Sequence, residues 1–243
     1  MRTPRRLCKG ASGITPNKTS ESKFPVSVEV RAEQIQQANR LMPRVAGQID
    51  RGKNQAILDA AGEVLFVRGL SAPLDEIAKR AGVSKQTIYN HYGSKAELVR
   101  ALIALRVETI TAPLETPHAE DFPEATLAAY ARTILSVVTS DRGAAMIRLI
   151  IESVPSAPEL ARAAFSAGVG ATRERLAAFL EREVRAGRLA IDDPLQAAAI
   201  FTGMALGHHQ QRQLYGLPAE LTPEGIDALA EECARRFMRA YAP

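Results

Sequence analysis

The chain has 243 residues, 46% of them hydrophobic, and a net charge of +4, so it can bury one large core or two small ones. No apolar run is long enough to cross a bilayer, and the start lacks the apolar centre of a signal peptide, so no membrane association is expected. Its two cysteines, Cys8 and Cys233, stand far apart without metal-ligand spacing, which fits a reduced cytoplasm.

Ala, Leu, Glu and Arg dominate and no stretch alternates with the period of a strand, so the expected fold class is all-α. Charge is unevenly spread. Lys and Arg outnumber Asp and Glu by 9 to 4 over residues 1–50 and by 9 to 5 over 51–106. Over residues 107–243 the balance reverses, 13 against 18. The basic end is where a phosphate backbone would be met.

Residues 1–50 begin MRTPRRLCKG and show no helical periodicity as far as Val30; they read as a disordered basic arm. VRAEQIQQANRLM could form a short helix that Pro43 stops. Such an arm either adds non-specific DNA affinity or is a solvated extension, or the start codon is assigned too early. From Arg51 to Arg68 a firm helix is expected, with Ile57, Ala60, Ala61, Val64, Leu65 and Val67 on its buried side and Gly69 at its end. Ser71-Ala72-Pro73 follows, with Pro73 suited to a first helical position and Ala72 unable to cap by its side chain.

Pro73 to Lys95, PLDEIAKRAGVSKQTIYNHYGSK, is the stretch that carries chemistry. Leu74, Ile77, Ala78 and Ala81 form one apolar helical face, and Gly82 supplies the positive φ that closes a helix. Ser84 can then cap a second helix. Val83, Ile88 and Tyr92 give that helix its buried side, while Lys85, Gln86, Thr87, Tyr89, Asn90 and His91 surround the rest. A short helix with few apolar and many hydrogen-bonding residues suits insertion into a DNA groove. GVSKQTIYNHYGSK resembles the signature of the TetR family of bacterial transcriptional regulators, and the likeness runs from Arg51 through SKAELVRAL. The resemblance implies a three-helix helix-turn-helix head over residues 51–112 and a helical regulatory and dimerisation body over 113–243. Ser84 belongs to the DNA-binding set as cap. Lys85, Gln86, Tyr89 and Asn90 are placed to reach base edges, and Thr87, His91 and Lys95 to hold phosphates.

Ser94 and Glu97 make a capping box for a helix from Lys95 to about Pro113. The body then repeats helix and break: Phe122 to Thr139, Gly143 to Val154, Pro158 towards Ala186 behind a Ser156/Glu159 capping box, Asp193-Pro194 to Tyr215, and Thr222-Pro223 to Tyr241. Tyr130, Ile134, Met146, Ile150, Phe165 and Val169 are candidates for the apolar effector pocket that the family implies; the same spacing equally suits plain core. His208-His209 point about 100° apart on a continuous helix and have no Asp, Glu or Cys at a supporting spacing, so no metal site and no cofactor are expected.

Ala199, Gly203 and Gly207 recur every four residues, and Ile226, Leu229, Ala230, Cys233, Phe237 and Ala240 form an apolar seam. Together they are the expected interface of a two-fold homodimer, as the resemblance also implies. The expected function is a sequence-specific DNA-binding transcriptional regulator on a palindromic operator of double-stranded DNA, a repressor released by a small apolar effector. An effector-independent DNA-binding architectural protein is the alternative. An enzyme would need convergent ionisable groups that the sequence does not offer.

Overall fold

The computed structural model describes residues 51–243, whose regular structure is all helix, with no strand among them. The expected arm over 1–50 and its short helix lie outside the described residues. Eleven α-helices follow one another among the described residues: α1 (Arg51–Arg68), α2 (Leu74–Ala81), α3 (Lys85–Tyr92), α4 (Lys95–Thr111), α5 (Pro123–Val138), α6 (Asp141–Ser153), α7 (Pro158–Phe165), α8 (Ala171–Arg185), α9 (Pro194–Leu206), α10 (His209–Leu214) and α11 (Pro223–Ala240). No helix among them is long and apolar enough to cross a membrane.

Buried side chains gather in two clusters. One combines Ile57, Ala61 and Leu65 of α1, Leu74 and Ile77 of α2, Ile88 of α3 and Leu98 and Leu102 of α4. Met146 and Leu149 of α6 and Ala164 of α7 join it, so apolar packing crosses the boundary expected at residue 112. The other cluster lies in the body, where Leu127 and Tyr130 of α5, Leu176 and Phe179 of α8, Phe201 of α9 and Phe237 of α11 meet. Phe201 and Phe237 make an edge-to-face pair with centroids 5.1 Å apart, the arrangement their ring quadrupoles favour. Tyr130 is fully buried beside them, and burial pushes its hydroxyl pKa up to about 12. Helix α4 serves both clusters, through Leu98 and Leu102 at one end and Ile110 at the other. Its far end is tied to α8 by Arg175, which donates to Glu108 at 2.5 Å and to the Thr111 hydroxyl at 2.9 Å. The hydrogen bond to Glu108 holds its carboxyl below the usual carboxylate range.

Several expectations need correction. Val67 is 77% exposed, and Leu58 takes the buried place on α1. Helix α7 starts after Ala157 without a side-chain cap, because the Ser156 hydroxyl turns back to the Ser153 carbonyl at 3.4 Å. The helix expected to run unbroken from Pro158 contains a π-turn at Ser166–Gly170 before α8, and Gly187, at φ 71°, closes it. The helix expected from Pro194 to Tyr215 breaks at Gly207, whose φ of 44° no continuing α-helix accepts.

The six expected pocket residues do not meet in one cavity. Tyr130 and Ile134 fill the body cluster, while Met146 and Ile150 belong to the cluster beneath the head. Phe165 and Val169 face outward at 61% and 56% exposure, on either side of the π-turn's start. Helical spacing marks which residues leave solvent, but not which neighbour they then meet. The expected dimer seam divides in the same way. Cys233 and Phe237 are buried within their own chain, and the Cys233 thiol faces the Met204 carbonyl at 3.7 Å. Ile226 and Leu229 are half-buried, Ala199 is half-buried, and Gly203 and Gly207 are exposed. One subunit uses most of the α11 stripe for itself, because α11 must close the core against α5 and α9.

Replacing Phe237 with Ala should therefore lower unfolding free energy by about 3–5 kcal/mol, the cost of a buried aromatic truncation. Urea denaturation checks this, and a variant as stable as the parent that only fails to associate would return Phe237 to a subunit interface.

Candidate nucleic-acid interface

The helix-turn-helix is built from local rules. Helix α2 opens on Pro73 as its N-cap, not as its first residue, and no side chain caps it. Asp75 and Glu76 in its first turn supply the negative charge that the helix end favours. At its other end Gly82 adopts φ 66°, and the Val83 amide donates to the Ala78 carbonyl at 3.0 Å. This is a Schellman closure, which turns the chain sharply enough for α3 to start two residues later. Ser84 then caps α3, accepting from the Thr87 amide at 3.0 Å, and its hydroxyl also meets the Thr87 hydroxyl at 2.8 Å.

Ile88 is the single fully buried side chain of α3, with Val83 and Tyr92 half-buried beside it. Lys85, Gln86, Tyr89, Asn90 and His91 are exposed, and Thr87 is half-buried. Gln86 and Asn90, one turn apart, are joined through their side-chain amides at 2.7 Å, which presents them as a pair. The Lys85 ammonium donates to Asp75 at 2.7 Å, and this hydrogen bond raises its pKa above the ordinary lysine value. An exposed pair of this kind is weak and can exchange Asp75 for another anion.

Two contacts were not legible in the sequence. Asn54 of α1 accepts the Tyr92 hydroxyl and lies 3.1 Å from the His91 ring nitrogen, so its one side-chain oxygen holds the end of α3. Nothing in the periodicity of α1 distinguishes Asn54 from other polar residues on its outer face. Lys95 also departs from expectation. Its ammonium points inward and donates to the carbonyls of Leu70 and Ala72, at the turn between α1 and α2. Pro73 has no N–H to donate back to the Leu70 carbonyl three residues earlier, so that carbonyl stays free for a cation. Burial pushes the Lys95 pKa down.

Beside Lys95 opens a cleft of about 480 Å³, lined by Arg68, Leu70, Val99, Leu149, Ser153 and Leu160 among others. None of the six expected pocket residues lines it. In the body, Glu220 lies against His208 and His209, an acidic neighbour that sequence spacing did not reveal.

Comparison with known proteins gives the same outline. Residues 57–102 match the family model described as bacterial regulatory proteins, tetR family. Residues 125–243 match that described as the C-terminal domain of AefR-like transcriptional repressors. The HTH-type transcriptional regulator SrpR of Pseudomonas putida is 41% identical over 68 residues, 28% of this chain and 30% of SrpR. That match therefore spans less than a third of either protein. The solved structure of the flavonoid-responsive regulator FrrA is 33% identical, with a TM-score of 0.61 over 79% of this chain and 97% of FrrA. A TetR-family regulator from Mesorhizobium loti shares the fold at 24% identity, with a TM-score of 0.64 over 79% of this chain and 99% of its own. A helix-turn-helix head, an all-helical body and two matching family models lead to one conclusion: the chain belongs to the TetR family of bacterial transcriptional regulators, which bind DNA.

Proposed function

We propose that the chain is a homodimeric, sequence-specific repressor that reads a palindromic operator with α3 and is released by a small molecule. The observation that carries this reading is the division of α3 into one buried residue, Ile88, and an exposed polar face. Gln86, Asn90, Tyr89 and Lys85 stand where they would reach base edges in a major groove, and Thr87 and His91 where they would meet phosphates. The repressor sense is supported by the AefR-like repressor family of the body, and release by a small molecule by the flavonoid response named for FrrA. An effector would act by binding one arrangement of head and body better than the other. An effector-independent DNA-binding protein is the second reading, and it draws on the scatter of the expected pocket residues between two clusters and the surface. A DNA-binding role of this kind implies a cytoplasmic protein.

Dimerisation is assigned to the outer face of α9, where Leu195, Ile200, Gly203 and Gly207 are exposed beside Ala199. A side chain built at Gly203 meets nothing within 4 Å, so the face is open to a second helix. On α11, Ile226 and Leu229 are the expected seam residues that the chain's own core leaves half-buried.

Exchanging Gln86 or Asn90 for Ala should alter which operator is preferred, by about 1–3 kcal/mol for each well-formed hydrogen-bonded pair with a base. Selection from a random DNA pool reads this directly, and an unchanged consensus would remove both from base readout. For Lys95 the inward geometry makes a different forecast from a phosphate contact. Lys95→Met should lower thermal stability and weaken operator binding while leaving the salt dependence unchanged. A salt slope lowered by about one unit, with stability intact, would put Lys95 on a phosphate after all. Gly203→Glu should give folded monomers that bind the operator weakly; light scattering that still showed a stable dimer would move the interface elsewhere.

A further inference from the structure

The break at Gly207 changes the chemistry open to His208 and His209. On a continuous helix the two rings would diverge, but here α9 stops, His208 stands at the N-cap of α10 and His209 is its first residue. The loop after α10 then returns Glu220 to the same place. His208 Nε2 lies 2.7 Å from Glu220 Oε2, and His209 Nδ1 lies 3.4 Å from the same oxygen. One ligand atom from each of the three residues falls within 4.8 Å of the others. A tetrahedral zinc ion with bonds of about 2.0–2.1 Å holds its ligand atoms about 3.4 Å apart. The observed separations bracket that spacing. His208 and Glu220 are exposed enough to close the difference by side-chain rotation alone.

A second observation points to a missing ligand. His209 Nδ1 and Arg212 Nε are both shielded from solvent and have no hydrogen-bond partner, despite their nearness to Glu220. Shielded polar atoms are nearly always paired, so an orphan nitrogen calls for a partner. A hollow of about 10 Å³ beside Glu220, lined also by Thr139, His209, Arg212 and Gln213 but not by His208, has room for a single water molecule. Arg212, with Nε 3.6 Å from Glu220, opposes a cation by its charge but can hold the carboxylate as a partner from outside the coordination shell.

We propose that His208 Nε2, His209 Nδ1 and Glu220 Oε2 bind one divalent transition-metal ion of the zinc class, with water completing the coordination. Two imidazoles and a carboxylate are a donor set that zinc accepts. Each imidazole must present an unprotonated nitrogen to the ion, so protons compete with the metal and affinity falls as pH is lowered. Because Arg148 already ties α10 to α6 through the Gln213 carbonyl at 2.6 Å, the ion would anchor the loop between α10 and α11 to the body.

The test is calorimetric titration of zinc into the chelator-stripped full chain, with a thermal melt alongside. The chain should take up one ion and melt at a higher temperature when loaded. Glu220→Gln and His208→Ala should each weaken binding at least ~10-fold, and cobalt in place of zinc should give the visible absorption of a four-coordinate site. His118→Ala, which alters the separate His118–Asp121 pair, should bind as the parent does. Absence of saturable uptake by the parent, or unchanged uptake by Glu220→Gln, overturns the proposal.

Discussion

Ile88 is the contact on which the head depends. Helix α3 has eight residues and buries only this side chain completely, whereas isolated helices so short do not persist in water. Its order is therefore borrowed from its surroundings. The Schellman turn at Gly82 sets its direction, Ser84 satisfies its first amides, and Asn54 holds its end through Tyr92 and His91. The arrangement has a consequence for function. Every apolar or fixing contact lies on one side of α3, which leaves Gln86, Tyr89 and Asn90 free on the other. A helix that packed more tightly would have fewer side chains left to read anything.

The same economy governs the connection to the body. Helix α4 is capped by Ser94 beside α3 and held at its other end by Arg175, so one rigid element reaches from the head cluster to the body cluster. Met146 and Leu149 of α6 press against the cluster beneath the head, giving a second route between them. Lys95 stands where these parts meet, bonded to the α1–α2 turn at the mouth of the cleft. On the proposed reading, a molecule in the body need only favour a different placement of α4 or α6 to shift the heads. Such coupling is a difference in affinity between two states and requires no separate device.

Much of this was legible in the residues. The all-α class followed from composition and the absence of alternation. The order of α1 to α4 followed from periodicity interrupted by Gly69 and Gly82, with Ser84 and Ser94 as caps. These signals are local, so a sequence carries them faithfully. What failed was of another kind. Cys233 and Phe237 were correctly apolar-faced but face their own core, and the six pocket candidates divide between two clusters and the surface. Periodicity gives the buried side of a helix and is silent on the partner. Lys95 and Asn54 act across intervals of more than twenty residues, and Glu220 reaches the histidines only because Gly207 ends a helix that apolar spacing alone would have continued.

The central claim is that two copies of the exposed α3 face read DNA as a symmetric pair. Hydroxyl-radical footprinting of the full chain on a DNA selected from a random pool tests it most directly. The account predicts two symmetry-related protected half-sites, their centres about one helical turn (~10 base pairs) or a multiple of it apart. A single protected half-site, or uniform protection without a centre of symmetry, would contradict it.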